Sequence, residues 1–209
     1  MRRSMLVLVG AAVVFLGGCF LFESGILYEE FWSDPNTTAW TLGDSETATK
    51  SIESGRYHVL LKKTTTVFYW NDDTEKYGDA QYDLDVEHVQ GTNNVSAGGL
   101  LFRVTDVSNS YGFQVSAFGS FRVVKWVGGT RTVLMAWTTS DAIHPGEAEN
   151  HLTVLAEGSS FTFLINGTEV AELSDSSFST GYVGVCVTSM AEANVVEQSF
   201  DNLVVRELE

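Results

Sequence analysis

Proline is nearly missing from this chain: Pro35 and Pro145 are its only two in 209 residues, so it has no proline-rich stalk or rigid linker. Basic residues are also scarce, with 12 Lys and Arg against 27 Asp and Glu and a net charge of −15 at pH 7. Nucleic acid and anionic lipid headgroups bind through cationic surfaces that displace counterions, so this balance argues against both as partners. Helical periodicity is absent. There is no Gly-x-Ser-x-Gly elbow and no glycine-rich phosphate loop ahead of a helix, and the four histidines, at 58, 88, 144 and 151, lack zinc-ligand spacing.

What is present begins at the N-terminus. Arg2 and Arg3 precede an apolar run from Met5 to Leu16, and Leu16-Gly17-Gly18-Cys19 closes it with small residues before a cysteine. The segment resembles a bacterial lipobox, which implies a signal peptide over residues 1–18, a lipidated Cys19, a short tether over residues 19–28 and one domain over residues 29–209. An uncleaved anchor or a simple signal peptide stays open. The anchor needs about 18 to 20 apolar residues, and the run reaches that only by counting the glycines, Cys19 and Phe20 to Phe22. Acyl chains on Cys19 would hold the protein to the outer side of a membrane, each buried CH₂ contributing about 0.8 kcal/mol.

Removing residues 1–18 takes away two arginines and no acid, leaving ten basic residues against 27 acidic ones, a charge of −17. A lipidated Cys19 cannot form a disulfide. Cys186, inside Tyr182-Val183-Gly184-Val185-Cys186-Val187, then reads as a lone buried thiol.

The rest reads as strands. Tyr82, Leu84 and Val86 alternate with Asp83, Asp85 and Glu87, as expected of a strand with one face in a core and the other in water. The same period of two runs through Phe113 to Ala117, Leu152 to Ala156 and Phe161 to Ile165. Gly119-Ser120, Gly128-Gly129, Gly158-Ser159 and Asn166-Gly167 supply hairpin turns between such segments. This many half-buried strands need a second apolar layer, which points to two stacked antiparallel sheets.

Several segments carry a family resemblance. Phe31-Trp32-Ser33-Asp34-Pro35-Asn36, Gly98-Gly99-Leu100-Leu101-Phe102-Arg103, Tyr111-Gly112-Phe113-Gln114-Val115 and Phe121-Arg122-Val123-Val124-Lys125-Trp126 are among them. So are Phe161-Thr162-Phe163-Leu164-Ile165-Asn166-Gly167 and Phe200-Asp201-Asn202-Leu203-Val204-Val205. Together they resemble the concanavalin A-like, laminin G-like jelly-roll superfamily over roughly residues 29–207, nearest the 3-keto-disaccharide hydrolase-like domain. The resemblance implies an all-β jelly-roll sandwich whose concave face or rim holds sugars.

It also singles out Arg103 and Gln114 as candidate ligand-binding residues, with Tyr111 and Trp126 as rings that could stack on a sugar. Trp70 and Trp137 are further aromatic candidates. Strand alternation places Arg103 on the face opposite Phe102, where its guanidinium could meet a carboxylate or sugar hydroxyls. Gly112 stands where the hydrolase-like members more usually carry an acid, which argues against catalysis. Asp83, Asp85 and Glu87 superficially resemble the acidic strand of laminarinase-type enzymes, but read as a solvated face. Asp34 and Asn36 near the first strand, with Asp201 and Asn202 near the last, could hold a structural calcium ion if the terminal strands pair.

These readings converge on a lipid-tethered extracytoplasmic domain that binds carbohydrate or another cell-envelope component without catalysis. Two alternatives stand beside it: a glycoside or 3-keto-disaccharide hydrolase, and an adhesive domain with a protein partner.

Overall fold

The computed structural model describes residues 25–91, 96–189 and 195–208, so the signal-peptide segment and Cys19 lie outside the described residues. Fifteen strands and no helix are found among those described. They are β1 (Ile26–Glu30), β2 (Gly43–Asp44), β3 (Ala48–Glu53), β4 (Arg56–Leu61), β5 (Thr66–Trp70), β6 (Ala80–Gln90), β7 (Ser96–Asp106) and β8 (Asn109–Ser116). After these come β9 (Ser120–Val127), β10 (Thr130–Thr139), β11 (Glu149–Glu157), β12 (Ser160–Ile165), β13 (Thr168–Ser174), β14 (Tyr182–Ser189) and β15 (Val196–Arg206).

The strands form two antiparallel sheets. One has six strands in the order β10-β9-β8-β7-β14-β5; the other has nine, in the order β13-β12-β11-β6-β15-β4-β3-β2, with β1 also pairing β15. The expected pairing of the first and last strands is therefore present, with Glu30 opposite Leu203. This is the all-β jelly-roll sandwich.

All four glycine turn signals close hairpins. Asn166 and Gly167 both hold positive φ, 51° and 77°, and so do Gly128 and Gly129, at 56° and 78°. Positive φ at both central residues matches the twist of the flanking strands.

Alternation fills the space between the sheets. Tyr82, Leu84 and Val86 of β6, Leu152 and Val154 of β11 and Phe161, Phe163 and Ile165 of β12 face Leu100, Phe102, Tyr111, Phe113 and Val123 in one buried cluster. Phe102 stacks on Tyr111 at 5.1 Å and meets the Phe161 ring edge-on at 5.3 Å. Each such ring contributes about 1.5–3 kcal/mol through burial. In β15 the pairing with β6 shifts between Asp201 and Val204, and Asn202 sits at φ 51°, so Phe200 and Leu203 both point inward despite their odd spacing.

The central strands of the six-stranded sheet are buried on both faces. Leu101, Val104, Val124, Trp126 and Cys186 form a second apolar cluster with Phe68, Trp70 and Tyr182, and they alternate with residues of the main core. Gly112 makes that outer layer possible, because a Cβ there would stand 2.8 Å from Cζ3 of Trp126. The position expected to differ from relatives by lacking an acid is filled from the next strand by an indole.

The water-facing expectation for β6 needs correction. Asp83 and Asp85 do point away from the core, yet they are only 3% and 8% exposed. Neighbouring strands cover them with His151, Thr153, Asn202 and Arg206.

Candidate functional site

On the outer face of the six-stranded sheet, Arg122 follows Phe121 and precedes Val123, both core residues, so alternation sends its side chain outward. The register sets Arg122 opposite Gln114, and the two side chains meet: Arg122 Nε donates to Gln114 Oε1 at 2.7 Å. Gln114 then donates through Nε2 to Thr188 Oγ1 at 2.9 Å and to Cys186 Sγ at 3.1 Å. Thr188 shares a further 3.0 Å hydrogen bond with Thr66 on β5. A polar relay thus crosses the sheet from β9 to its edge strand and fixes the guanidinium in one orientation. Arg122 is 4% exposed, its Nη2 has no hydrogen-bond partner, and its Cζ lies 4.6 Å from the centroid of the Trp137 ring.

A cavity of about 570 Å³ opens at this point, lined by Thr65, Thr66, Arg122, Arg131, Val133, Ala136, Trp137, Thr188 and Ser189. Its lining combines two guanidiniums, a half-buried indole and four hydroxyl side chains, and contains no acid. Burial, with the positive charge of Arg131 behind it, pushes Arg122 down to about 10. Cys186 is moved the opposite way, to about 12, because burial disfavours its thiolate. Among the described residues it is a free, buried thiol, as its strand suggested.

The expected ligand-binding residues divide between two places. Gln114 and Trp126 share the face of this cavity, but both are buried: Gln114 holds Arg122, and Trp126 packs edge-on against Phe68 at 4.7 Å. Tyr111 lies inside the sandwich, its hydroxyl bonded to Asp175 at 2.6 Å and accepting from the Ser177 and Phe178 amides.

Arg103 departs furthest from expectation. A bulge gives it φ 49° and turns it out of strand alternation into the end of the sandwich, where it is 1% exposed. There it donates to the carbonyls of Gly78, Gly158 and Phe178 and pairs with Asp79, with its guanidinium over Phe161. It ties three loops together and does not line the cavity. The residues missed by sequence reasoning are Arg122, Arg131 and the hydroxyls of Thr65, Thr66, Thr188 and Ser189. The available signal was a single arginine on the outward phase of a strand, directly across from an outward glutamine.

The acidic strand β6 belongs to the other sheet. His151 Nδ1 meets Asp85 Oδ1 at 2.6 Å, and its Nε2 lies 3.4 Å from Asp83 Oδ1. Hydrogen bonds to Asp83 and Asp85 push the imidazole up to about 9. Burial alone would raise the two carboxyls, but His151 with Thr153 and Gln81 at Asp83, and with Asn202 at Asp85, holds both below the usual range. An acid-base pair for glycoside cleavage needs one carboxyl kept protonated near neutral pH, and this cluster drives both toward ionisation.

The four residues expected to hold calcium are engaged with near neighbours. Asp34 Oδ1 accepts both the backbone and side-chain N–H groups of Asn36 within its own turn, while Asn202 donates to Asp85 and its amide to Asp201. Each pair is engaged in its own local network. Among the described residues no group of three or more His, Cys, Asp or Glu side chains could hold a metal ion.

An antiparallel sandwich of this topology defines a jelly-roll domain of the concanavalin A-like type. The chain belongs to the 3-keto-alpha-glucoside-1,2-lyase-like domain family, whose pattern matches residues 28–206. It is similar to the carbohydrate-binding module CBM66 from Bacillus subtilis, with 24% identity and a TM-score of 0.65 over 82% of this chain and 98% of that one. A galectin-like protein of unknown function from Bacillus subtilis matches at 13% identity, TM-score 0.66, over 88% and 96% of the two chains. An endo-β-galactosidase from Clostridium perfringens that releases GlcNAcα1-4Gal matches at 8% identity, TM-score 0.60, over 87% of this chain and 62% of that one. At these identities the likeness is one of fold. No curated protein matches the chain in sequence.

Proposed function

We propose that this is a carbohydrate-binding domain, held outside the cell membrane by lipid on Cys19, that takes its glycan in the cavity beside Arg122 and Trp137. The single observation that carries this reading is the composition of that cavity. An aromatic face, fixed guanidinium donors and threonine and serine hydroxyls are the groups that grip a sugar ring through its apolar face and its hydroxyls. The fold shared with a carbohydrate-binding module and an endo-β-galactosidase supports the ligand class.

Binding is favoured over cleavage by the same lining. Bond cleavage by proton transfer needs a group that gives or takes a proton near neutral pH. Guanidiniums, hydroxyls and an indole do not titrate there. The family's lyase-like description keeps a catalytic role as the second reading.

A glycan array and a cell-wall pull-down with the protein test the proposal. Saturable binding of a glycan, weakened by Trp137→Ala and accompanied by no turnover of glycoside or 3-keto-glycoside substrates, is the expected result. Binding indifferent to Trp137, or no binding, contradicts it. Lipidation is read separately, by mass spectrometry of the N-terminal peptide from cell membranes.

A further inference from the structure

The arginines among the described residues are of two kinds. Arg56, Arg103 and Arg206 each face a carboxylate, with Arg56 2.6 Å from Glu149, Arg103 3.1 Å from Asp79 and Arg206 3.4 Å from Asp83. Arg122 and Arg131 form no ion pair among the described residues, although acids outnumber bases more than two to one in the chain. A buried guanidinium without a counter-charge is costly, and an unmade hydrogen bond at its edge adds to the cost. Arg122 carries both burdens, since its Nη2 is orphaned and the charge that acts on it most strongly is that of another cation, Arg131.

The surroundings hold it there nonetheless. Gln114 fixes Nε, Trp137 covers one face of the guanidinium, and the relay to Thr188 and Thr66 fixes Gln114. Arg131 stands opposite Trp126 on the neighbouring strand and lines the same cavity from an exposed position. The result is a pre-positioned, uncompensated positive site next to an aromatic face, with hydroxyl groups across from it. A neutral sugar would satisfy the donor edges but leave the two charges unbalanced.

We infer that the glycan bound in this cavity is anionic, its acid group set between Arg122 and Arg131 while its ring lies toward Trp137 and the hydroxyls of Thr65, Thr66 and Thr188. Carboxylate and sulfate share the required chemistry, a delocalised anion whose oxygens accept charge-assisted hydrogen bonds from guanidinium N–H groups. The acidity of the whole chain does not oppose this, because screening at physiological salt confines electrostatics to about 8 Å. The charged side chains that line the cavity, Arg122 and Arg131, are both cations.

This inference rests on the carbohydrate-binding reading, and its test separates the two. Calorimetric titration of the protein with matched oligosaccharides, uronate-bearing, sulfated and neutral versions of the same backbones, is the experiment. The acidic forms are expected to bind at least about tenfold tighter than the neutral ones, with the preference falling as salt rises. Whether the uronate or the sulfated form binds identifies the acid group. Arg131→Gln, at an exposed position, is expected to weaken acidic ligands about tenfold more than neutral ones. Arg122→Gln is expected to remove the preference altogether. Equal affinity for acidic and neutral forms, or a preference that survives both substitutions, overturns the inference while leaving carbohydrate binding intact. Failure to bind any member of the panel overturns both.

Discussion

Arg122 Cζ lies 4.6 Å from the centroid of the Trp137 ring, and both side chains line the same cavity. The ring therefore has two tasks, to hold the guanidinium and to offer an apolar surface to a sugar. A cation–π contact of this kind contributes about 0.5–2 kcal/mol, and lost ring stacking on the ligand adds to that. Trp137→Ala is expected to weaken glycan binding about 10- to 100-fold in affinity electrophoresis. The far-ultraviolet circular dichroism should be unchanged, since Trp137 lies outside both buried clusters.

Gly112 supports the same face from beneath. Adding a methyl group there brings Cβ to 2.8 Å from the Trp126 ring, which is held between Phe68 and the sheet. Gly112→Ala should lower unfolding free energy by about 1–3 kcal/mol in urea titration, as overpacking does elsewhere. Gly112→Glu should cost more, because the carboxylate would enter an apolar layer.

These two positions show how far the sequence was legible. The sandwich and its hairpins follow from period-two alternation and from glycine and asparagine turns, which are local signals, whereas the pairing of its ends is implied by the jelly-roll resemblance. The site depends on facts that are not local. Arg103 looked like a ligand-facing residue, opposite Phe102, because alternation had to be assumed unbroken, and its own φ of 49° turns it into the end of the sandwich instead. Arg122 looked like part of a strand pattern, and only the register that sets it against Gln114 and the packing of Trp137 from β10 give it a role. Asp83 and Asp85 looked solvated because their covers, His151 and Arg206, come from strands distant in sequence.

Arg103→Leu tests the structural assignment of that residue. The substitution leaves the carbonyls of Gly78, Gly158 and Phe178 without donors and Asp79 without its partner. A loss of about 3–5 kcal/mol in unfolding free energy is expected. The fraction that remains folded should bind glycan with unchanged affinity.

The His151 cluster sets a pH dependence with a definite sign. His151 has a folded pKa of about 9, against about 6.5 in the unfolded chain, so its contribution is whole below about pH 6.5 and disappears as pH rises through 9. Asp83 and Asp85 are lowered, so theirs is present above about pH 4 and lost as pH falls through their folded values. The stability difference between the parent and His151→Gln should peak between about pH 4.5 and 6.5 and shrink by pH 9.5. Partial exposure of the imidazole limits the peak to about 1–2 kcal/mol. Thermal melts across this range provide the check.

Cys186 should be inert in the folded protein. Buried, and with its thiol pushed up to about 12, it presents almost no thiolate at pH 8. Iodoacetamide is expected to leave it unmodified for hours in native buffer and to label it within minutes in denaturant, as read by mass spectrometry.

The most direct test of the central claim is a map of where a bound glycan touches the protein. With an oligosaccharide identified from the array, amide and indole chemical shifts should move at Thr65, Thr66, Arg131, Trp137 and Thr188 and stay still around Asp83, Asp85 and His151. Shifts confined to the acidic face of the nine-stranded sheet, or to the loops tied by Arg103, would contradict the account.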